Sequence, residues 1–310
     1  GQTLFLCGRT EEALSALETL LVSESDRILL ARVYALRAMI LDHGEVSRER
    51  TLTEILKALS LFGVGLPRTA GEAEGEISSG MAALPAKTAA LVRAGEDGLA
   101  RMRDDADVMT MNLFFQALPI TYQGYPWLYS VIMLRMLDMT LERGVTDVSC
   151  KNLVECGMTL GSAFGDYRGG YELAMFAFGL IDRYRFETQR SPCCFIFANF
   201  VSSWRRPIRE SVEYFDLAIS SGVASGDIQH AAYSCAHRFN RLLLSGTGLA
   251  ACAEELASLF SFLRSNGATM LLVYAELFQY VLDRLMSGAT YESGARLREK
   301  IAGGDNSFYK

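Results

Sequence analysis

Three histidines, His43, His230 and His237, are all the imidazoles this chain offers for acid-base or metal chemistry. His230 and His237 stand seven residues apart. On a helix that is one face but a rise of about 10 Å, whereas paired zinc histidines usually sit four apart. Cys235 lies about 200° round the same helix from His237 and completes no ligand set. A Ser-His-Asp hydrolase needs a GxSxG elbow after a strand. The nearest string, Gly161-Ser162-Ala163-Phe164-Gly165, has its serine one place early and no strand pattern before it. Gly246-Thr247-Gly248 lacks the strand and the third glycine of a dinucleotide loop and reads as a turn. No phosphate-binding GxxxxGK[ST], kinase HRD or DFG, or histidine-kinase box occurs. The expectation is a non-enzymatic chain with no catalytic residue, cofactor or metal.

Recognition groups, in contrast, recur at helical spacing. Asn152, Glu155, Thr159 and Ser162 fall three or four residues apart. So do Asn199 and Ser203, then His230, Ser234, His237 and Arg241, then Glu276, Gln279 and Asp283. Each set therefore occupies one helix face. Short Asn, Ser and Thr with His are hydrogen-bonding groups, whereas an idle face favours Lys and Glu. If each set sits on the first helix of successive hairpins, stacking merges them into one polar trough. The plainer reading is the solvated face that every amphipathic helix carries.

Trp204-Arg205-Arg206-Pro207 has the same two sides. Pro207 suits the first position of a helix and drives Arg206 out of helical conformation, and Glu210 then favours the helix dipole, so a hairpin corner accounts for both. Trp204 and Arg205 are also residue types that anchor interfaces. These stripes, with Trp204 and Arg205, form the candidate groove for a protein or peptide partner, or for a small molecule. Replacing His237 or Arg241 by Ala is expected to weaken that binding and leave thermal stability nearly unchanged.

The elements that must carry these residues read as helices. Ile28, Leu29, Ala31, Ala35, Leu36, Met39 and Ile40 recur at three and four until His43-Gly44 stops the pattern. Before it, Thr10 stands as a capping hydroxyl ahead of Glu11 and Glu12. Gly157, Gly161 and Gly165 repeat every four residues, and downstream small Gly170, Ala174 and Ala177 are spaced at four and three. So much glycine is tolerable in a helix only if a neighbour presses closely on that face. Tyr122, Tyr125, Trp127 and Tyr129 around Pro119 and Pro126 suit a packed kink, and Met133, Met136 and Met139 suit a core. Helix ends at Gly165, near Trp204 and at Ser245-Gly246 set a beat of roughly 40 residues. The expected fold is all-α, an α-solenoid of tetratricopeptide-like helical hairpins. Its expected parts are N-terminal hairpins over 1–66, an irregular helical insert over 67–108 diluted by Gly71, Gly75, Gly80, Pro85 and Gly95, and a main array over 109–310.

Composition narrows the function classes. The 310 residues carry 30 Lys and Arg against 36 Asp and Glu, a net charge of −6, with 50% hydrophobic residues. That supplies ample core and no basic face for nucleic acid. Gln116, Gln123, Arg135 and Asp138 interrupt the most apolar stretch well short of the roughly 18 residues a membrane span needs. Seven cysteines without a CxxC pair or a secretory leader point to a reducing, cytoplasmic setting. The start at Gly1, without Met, reads as a piece of something longer.

Three blocks in order also carry a family likeness: Gly165-Asp166-Tyr167-Arg168-Gly169-Gly170-Tyr171, then Asn199-Phe200-Val201-Ser202-Ser203-Trp204-Arg205-Arg206-Pro207, then Gly226-Asp227-Ile228-Gln229-His230-Ala231. Together they resemble the helical-repeat region of large multidomain signalling proteins. Those join a Ser/Thr-kinase-like domain and an AAA-type ATPase to tetratricopeptide-like repeats, often followed by a GAF domain and a histidine kinase. The likeness covers roughly 110–265. It implies a non-catalytic regulatory domain that couples ATPase and kinase modules through a protein partner, other modules of the same polypeptide, or a small ligand. The repeats here exceed the 34 residues of a tetratricopeptide unit.

Overall fold

The computed structural model describes residues 1–43 and 48–288, and among these it contains fourteen α-helices and no strand beyond one isolated bridge between Arg101 and Val145. The protein is all-α. It comprises two compact units divided between Arg185 and Phe186.

The first unit holds α1 (Gln2–Leu6), α2 (Thr10–Ser23), α3 (Arg27–His43), α4 (Arg48–Ser60), α5 (Ala70–Ala94), α6 (Asp105–Gly124), α7 (Pro126–Arg143), α8 (Asp147–Phe164) and α9 (Tyr167–Tyr184). Most sequence neighbours pack on one another, but α5 packs on α7 and α9, and the buried faces of α4, α6 and α7 meet around Ile55, Leu59, Met111, Phe114, Leu118, Ile132 and Met136. Thr10 does not cap α2: Arg9 occupies the cap position and pairs with Glu12 at 2.5 Å. The expected break is present between α4 and α5, where Gly63 takes φ +73°.

The irregular insert expected at 67–108 is instead dominated by α5, whose 25 residues make it the longest described helix. Thr69 caps it, and α7 holds it along its length. Arg135 binds Glu76 at 2.6 and 2.8 Å and the Gly65 carbonyl at 2.6 Å, and Lys87 pairs with Asp138. Gly80 lets Leu134 approach so closely that a Cβ there would lie 2.6 Å from its Cδ1. Tertiary packing thus overrides the weak local propensity that the glycines and Pro85 signal.

The second unit holds α10 (Arg190–Ile196), α11 (Ser211–Ser225), α12 (Ile228–Leu244), α13 (Leu249–Ser265) and α14 (Thr269–Ser287). Its core runs through Phe239, Cys252, Leu256, Leu259, Leu263, Ala275 and Leu282. Every second helix from α6 onward begins at residue 105, 147, 190, 228 or 269, so the beat of roughly 40 residues is kept.

The α8–α9 hairpin realises the glycine pattern. Gly157 and Gly170 lie backbone to backbone: a Cβ on Gly157 would come within 2.6 Å of the Gly170 carbonyl oxygen, and one on Gly170 would strike the Gly157 carbonyl. Gly165 closes α8 in the left-handed conformation, φ +67°, and Asp166 caps α9 by accepting from the Gly169 amide at 2.8 Å.

Candidate functional site

The first polar stripe belongs to the interior. α8 is packed by α5, α6, α7 and α9, and twelve of its eighteen residues are buried. Asn152, fully buried, donates to the Met133 carbonyl on α7 at 3.1 Å. Glu155, 5% exposed, accepts from Lys151 Nζ at 2.6 Å, and that ammonium lies 5.2 Å from the centre of the Phe115 ring. Thr159 donates to the Glu155 carbonyl one turn back at 3.0 Å. The expectation that Asn152, Glu155 and Thr159 line an open groove is therefore corrected. Neighbours cover α8 along most of its length, leaving only Ser162–Phe164 at its end exposed, with Thr159 half-buried, so Asn152 and Glu155 pair inward. Asn152 Oδ1 and Glu155 Oε2 remain buried without a hydrogen-bond partner. Nearby, burial first and the Glu155 charge second push the Tyr129 phenol pKa up.

The stripe on α12 faces α10 and the segment that follows it. Asp227 caps α12 by accepting from the His230 amide at 3.2 Å, and its carboxylate also meets His230 Nδ1 at 2.8 Å. Phe195 on α10 is the centre of the cluster: its ring centre lies 5.9 Å from His230, 5.7 Å from Tyr233 and 5.4 Å from His237. Phe215 stacks on His237 at 6.3 Å. Burial lowers the His237 pKa to about 4, with the Arg241 charge adding to the effect. The imidazole is thus neutral and packed, which suits a stacking partner better than an acid-base catalyst near pH 7.

Arg241 reaches back to Asn199 and donates to both its backbone carbonyl at 2.9 Å and its Oδ1 at 3.0 Å. Asn199 lies in a π-helical turn, Phe197–Val201, that passes into a 3-10 turn, Ser202–Trp204. Widened turns leave carbonyls without their helical donors, and Arg241 satisfies one of these. Arg241 therefore supports this segment and His237 packs between Phe195 and Phe215, so removal of either would cost stability as well as any binding. Arg241 Nε and the hydroxyls of Ser202, Ser203 and Ser234 are buried without a partner.

The supported segment ends in an exposed corner. Trp204 is 64% exposed, Phe200 is 39% exposed, and Arg205 is exposed beside them. Pro207 sits just ahead of the turn Ile208–Glu210 rather than inside a helix, and Arg206 Nε approaches Glu210 at 3.9 Å. On α14, Glu276 is exposed, and Gln279 donates to Asp283 at 2.7 Å within its own helix. The candidates thus separate: Asn152, Glu155 and Thr159 lie inside the first unit, whereas Asn199, Ser203, Trp204, Arg205, His230, Ser234, His237 and Arg241 belong to one neighbourhood of α10, α12 and the turns between α10 and α11 in the second.

Two participants escape sequence reasoning. Phe195 lies in an apolar Cys-Cys-Phe run with no polar partner in sequence, and Lys151 is a long cation that does not group by type with the short polar residues of the stripe Glu155 joins. The spacing of Lys151 to Glu155 is the available signal for the second.

All seven cysteines are unbridged, and five are buried. Burial pushes Cys194 up to about 12 and Cys235 to about 11, far from thiolate chemistry. Among the described residues no three His, Cys, Asp or Glu side chains gather as metal ligands, and no helix is long and apolar enough to cross a membrane. The arrangement defines an all-α protein with an exposed corner at Trp204 and Arg205. Compared with protein-family models, curated proteins and solved structures, the chain matches none.

Proposed function

We propose that this chain is a non-catalytic, cytoplasmic regulatory module of a signal-transduction ATPase or kinase, and that it recognises a protein partner or a neighbouring module of the same polypeptide. The observation that carries this reading is the Trp204 corner. A largely exposed indole beside Arg205 stands on a 3-10 turn that directly follows the π-helical turn whose Asn199 Arg241 holds. Exposed aromatic and arginine anchors on a pre-organised backbone bind with little loss of conformational entropy. Residues expected to line the groove become its support, and the contact surface moves to the outer corner. The likeness to repeat regions of large signalling proteins, and a solenoid stacking of the hairpins, belong to this proposal. Nucleic acid and membrane are not among its partners.

The test pairs this chain with the ATPase and kinase-like modules encoded in its own reading frame, in a binding titration of Trp204→Ala/Arg205→Ala against the unsubstituted chain. Affinity should fall at least about tenfold with helical circular dichroism retained. Equal affinity, or a reading frame with no such modules, overturns the reading.

A second reading, small-molecule sensing, rests on the unpartnered Arg241 Nε and the hydroxyls of Ser202, Ser203 and Ser234. The rings of Phe195, Tyr233, His230 and His237 on α10 and α12 pack on one another, and the exposed Trp204 favours the partner-binding corner.

A further inference from the structure

We propose that a cleft on the first unit holds a short peptide segment of a protein partner in which basic and apolar side chains alternate. The site lies where the start of α3, the turn after α4, the first turns of α6 and the end of α7 come together. Two open hollows of about 480 and 460 Å³ adjoin, sharing Arg27, Phe62 and Ala106. It is independent of the Trp204 corner, which belongs to the other unit.

The floor is apolar. Phe62, Phe114 and Met139 line the second hollow and belong to, or pack against, the core of the unit. The walls carry charge of both signs, with opposite needs. Arg27 and Arg103 can only donate hydrogen bonds, and Asp105 and Glu142 can only accept them. None of these four has a hydrogen-bond or ion-pair partner among the described residues. Arg143 is already engaged with Asp107, Arg135 with Glu76, and Asp138 with Lys87.

A polypeptide backbone is the ligand that meets both needs at once, with carbonyls for the arginines and N–H groups for the carboxylates. The charge balance selects its side chains. Six carboxylates face four arginines across the two hollows. Including the outer partners Glu76 and Lys87 adds one charge of each sign, so the excess of two negative charges remains. Asp26 and Asp104 use one oxygen each in capping α3 and α6, and their second oxygens add to the acidic wall. Basic side chains therefore fit the walls, and an apolar side chain between them fits the Phe62–Met139 floor.

The experiment uses the full chain with methyl-labelled methionine and two capped pentapeptides, Lys-Leu-Arg-Leu-Lys and Glu-Leu-Glu-Leu-Glu. The basic peptide should move the Met139 methyl resonance, and its affinity should fall as salt rises from about 50 to 300 mM. The double variant Asp105→Asn/Glu142→Gln, which alters two exposed and unpaired side chains, should bind it about tenfold more weakly with unchanged melting. Tighter binding of the acidic peptide, undiminished affinity in the double variant, or a Met139 methyl that stays still would each overturn the assignment.

Discussion

Burial between Phe195 and Phe215, with Arg241 one turn away, holds the His237 imidazole near a pKa of 4, against 6.5 in an unfolded chain. The consequence for stability has a definite sign. Above pH 6.5 the residue is neutral in both states and contributes no slope. Between pH 6.5 and 4 the unfolded chain binds a proton that the folded chain refuses, so stability falls as the solution is acidified. Below pH 4 the loss levels off at ~3 kcal/mol, the upper bound set by the shift. Urea unfolding between pH 7 and 4 should show this slope, and His237→Leu should flatten it relative to the unsubstituted protein. An unchanged slope would mean that His237 is hydrated in solution. The same neighbourhood explains why Arg241 behaves as structure: it directs two hydrogen bonds to Asn199. A residue type suited to ligand capture can equally satisfy its own backbone, and only the partner's position distinguishes the two.

At the scale of elements, Gly157 and Gly170 let the backbones of α8 and α9 touch. Gly157→Ala should destabilise the protein by about 2–3 kcal/mol, since backbone on both sides cannot yield as a flexible side chain would. Gly75 supplies the contrast. It lies in α5, and a methyl group added there would meet nothing within 4 Å, so Gly75→Ala should stabilise by about 0.5–1 kcal/mol through helix propensity alone. Denaturant midpoints of the two variants should move in opposite directions. Movement in the same direction would show that the α8–α9 approach is looser than its backbone contact requires.

For the molecule as a whole, the division between Arg185 and Phe186 separates two sets of buried contacts. One is built around Ile55, Phe114 and Met136, the other around Phe239, Leu256 and Leu282. Chains comprising 1–185 and 186–310 should each retain helical circular dichroism and melt cooperatively when produced alone. Failure of either to fold would mean that the units complete one another's cores. A partner at the Trp204 corner and a peptide in the first-unit cleft would load different units, so each site can be removed without disturbing the other.

The helices, their roughly 40-residue beat and the tight glycine pairing are legible in the sequence, because capping residues, apolar periodicity and Gly157 to Gly170 act within or between neighbouring helices. Thr10 and the 67–108 stretch mislead for a related reason: propensity describes an isolated segment, whereas α5 is held by Arg135, Lys87 and Leu134 through contacts that propensity does not see. The polar stripes are identifiable as helix faces, but which way each one points is beyond local reasoning. Asn152 and Glu155 turn inward because four helices pack against α8, and Arg241 turns to Asn199 because a π-helical turn leaves a carbonyl in reach. Periodicity alone determines that a helix has two unlike faces. Only the arrangement of neighbours decides which face is covered, since burial depends on atoms that are distant in sequence and close in space.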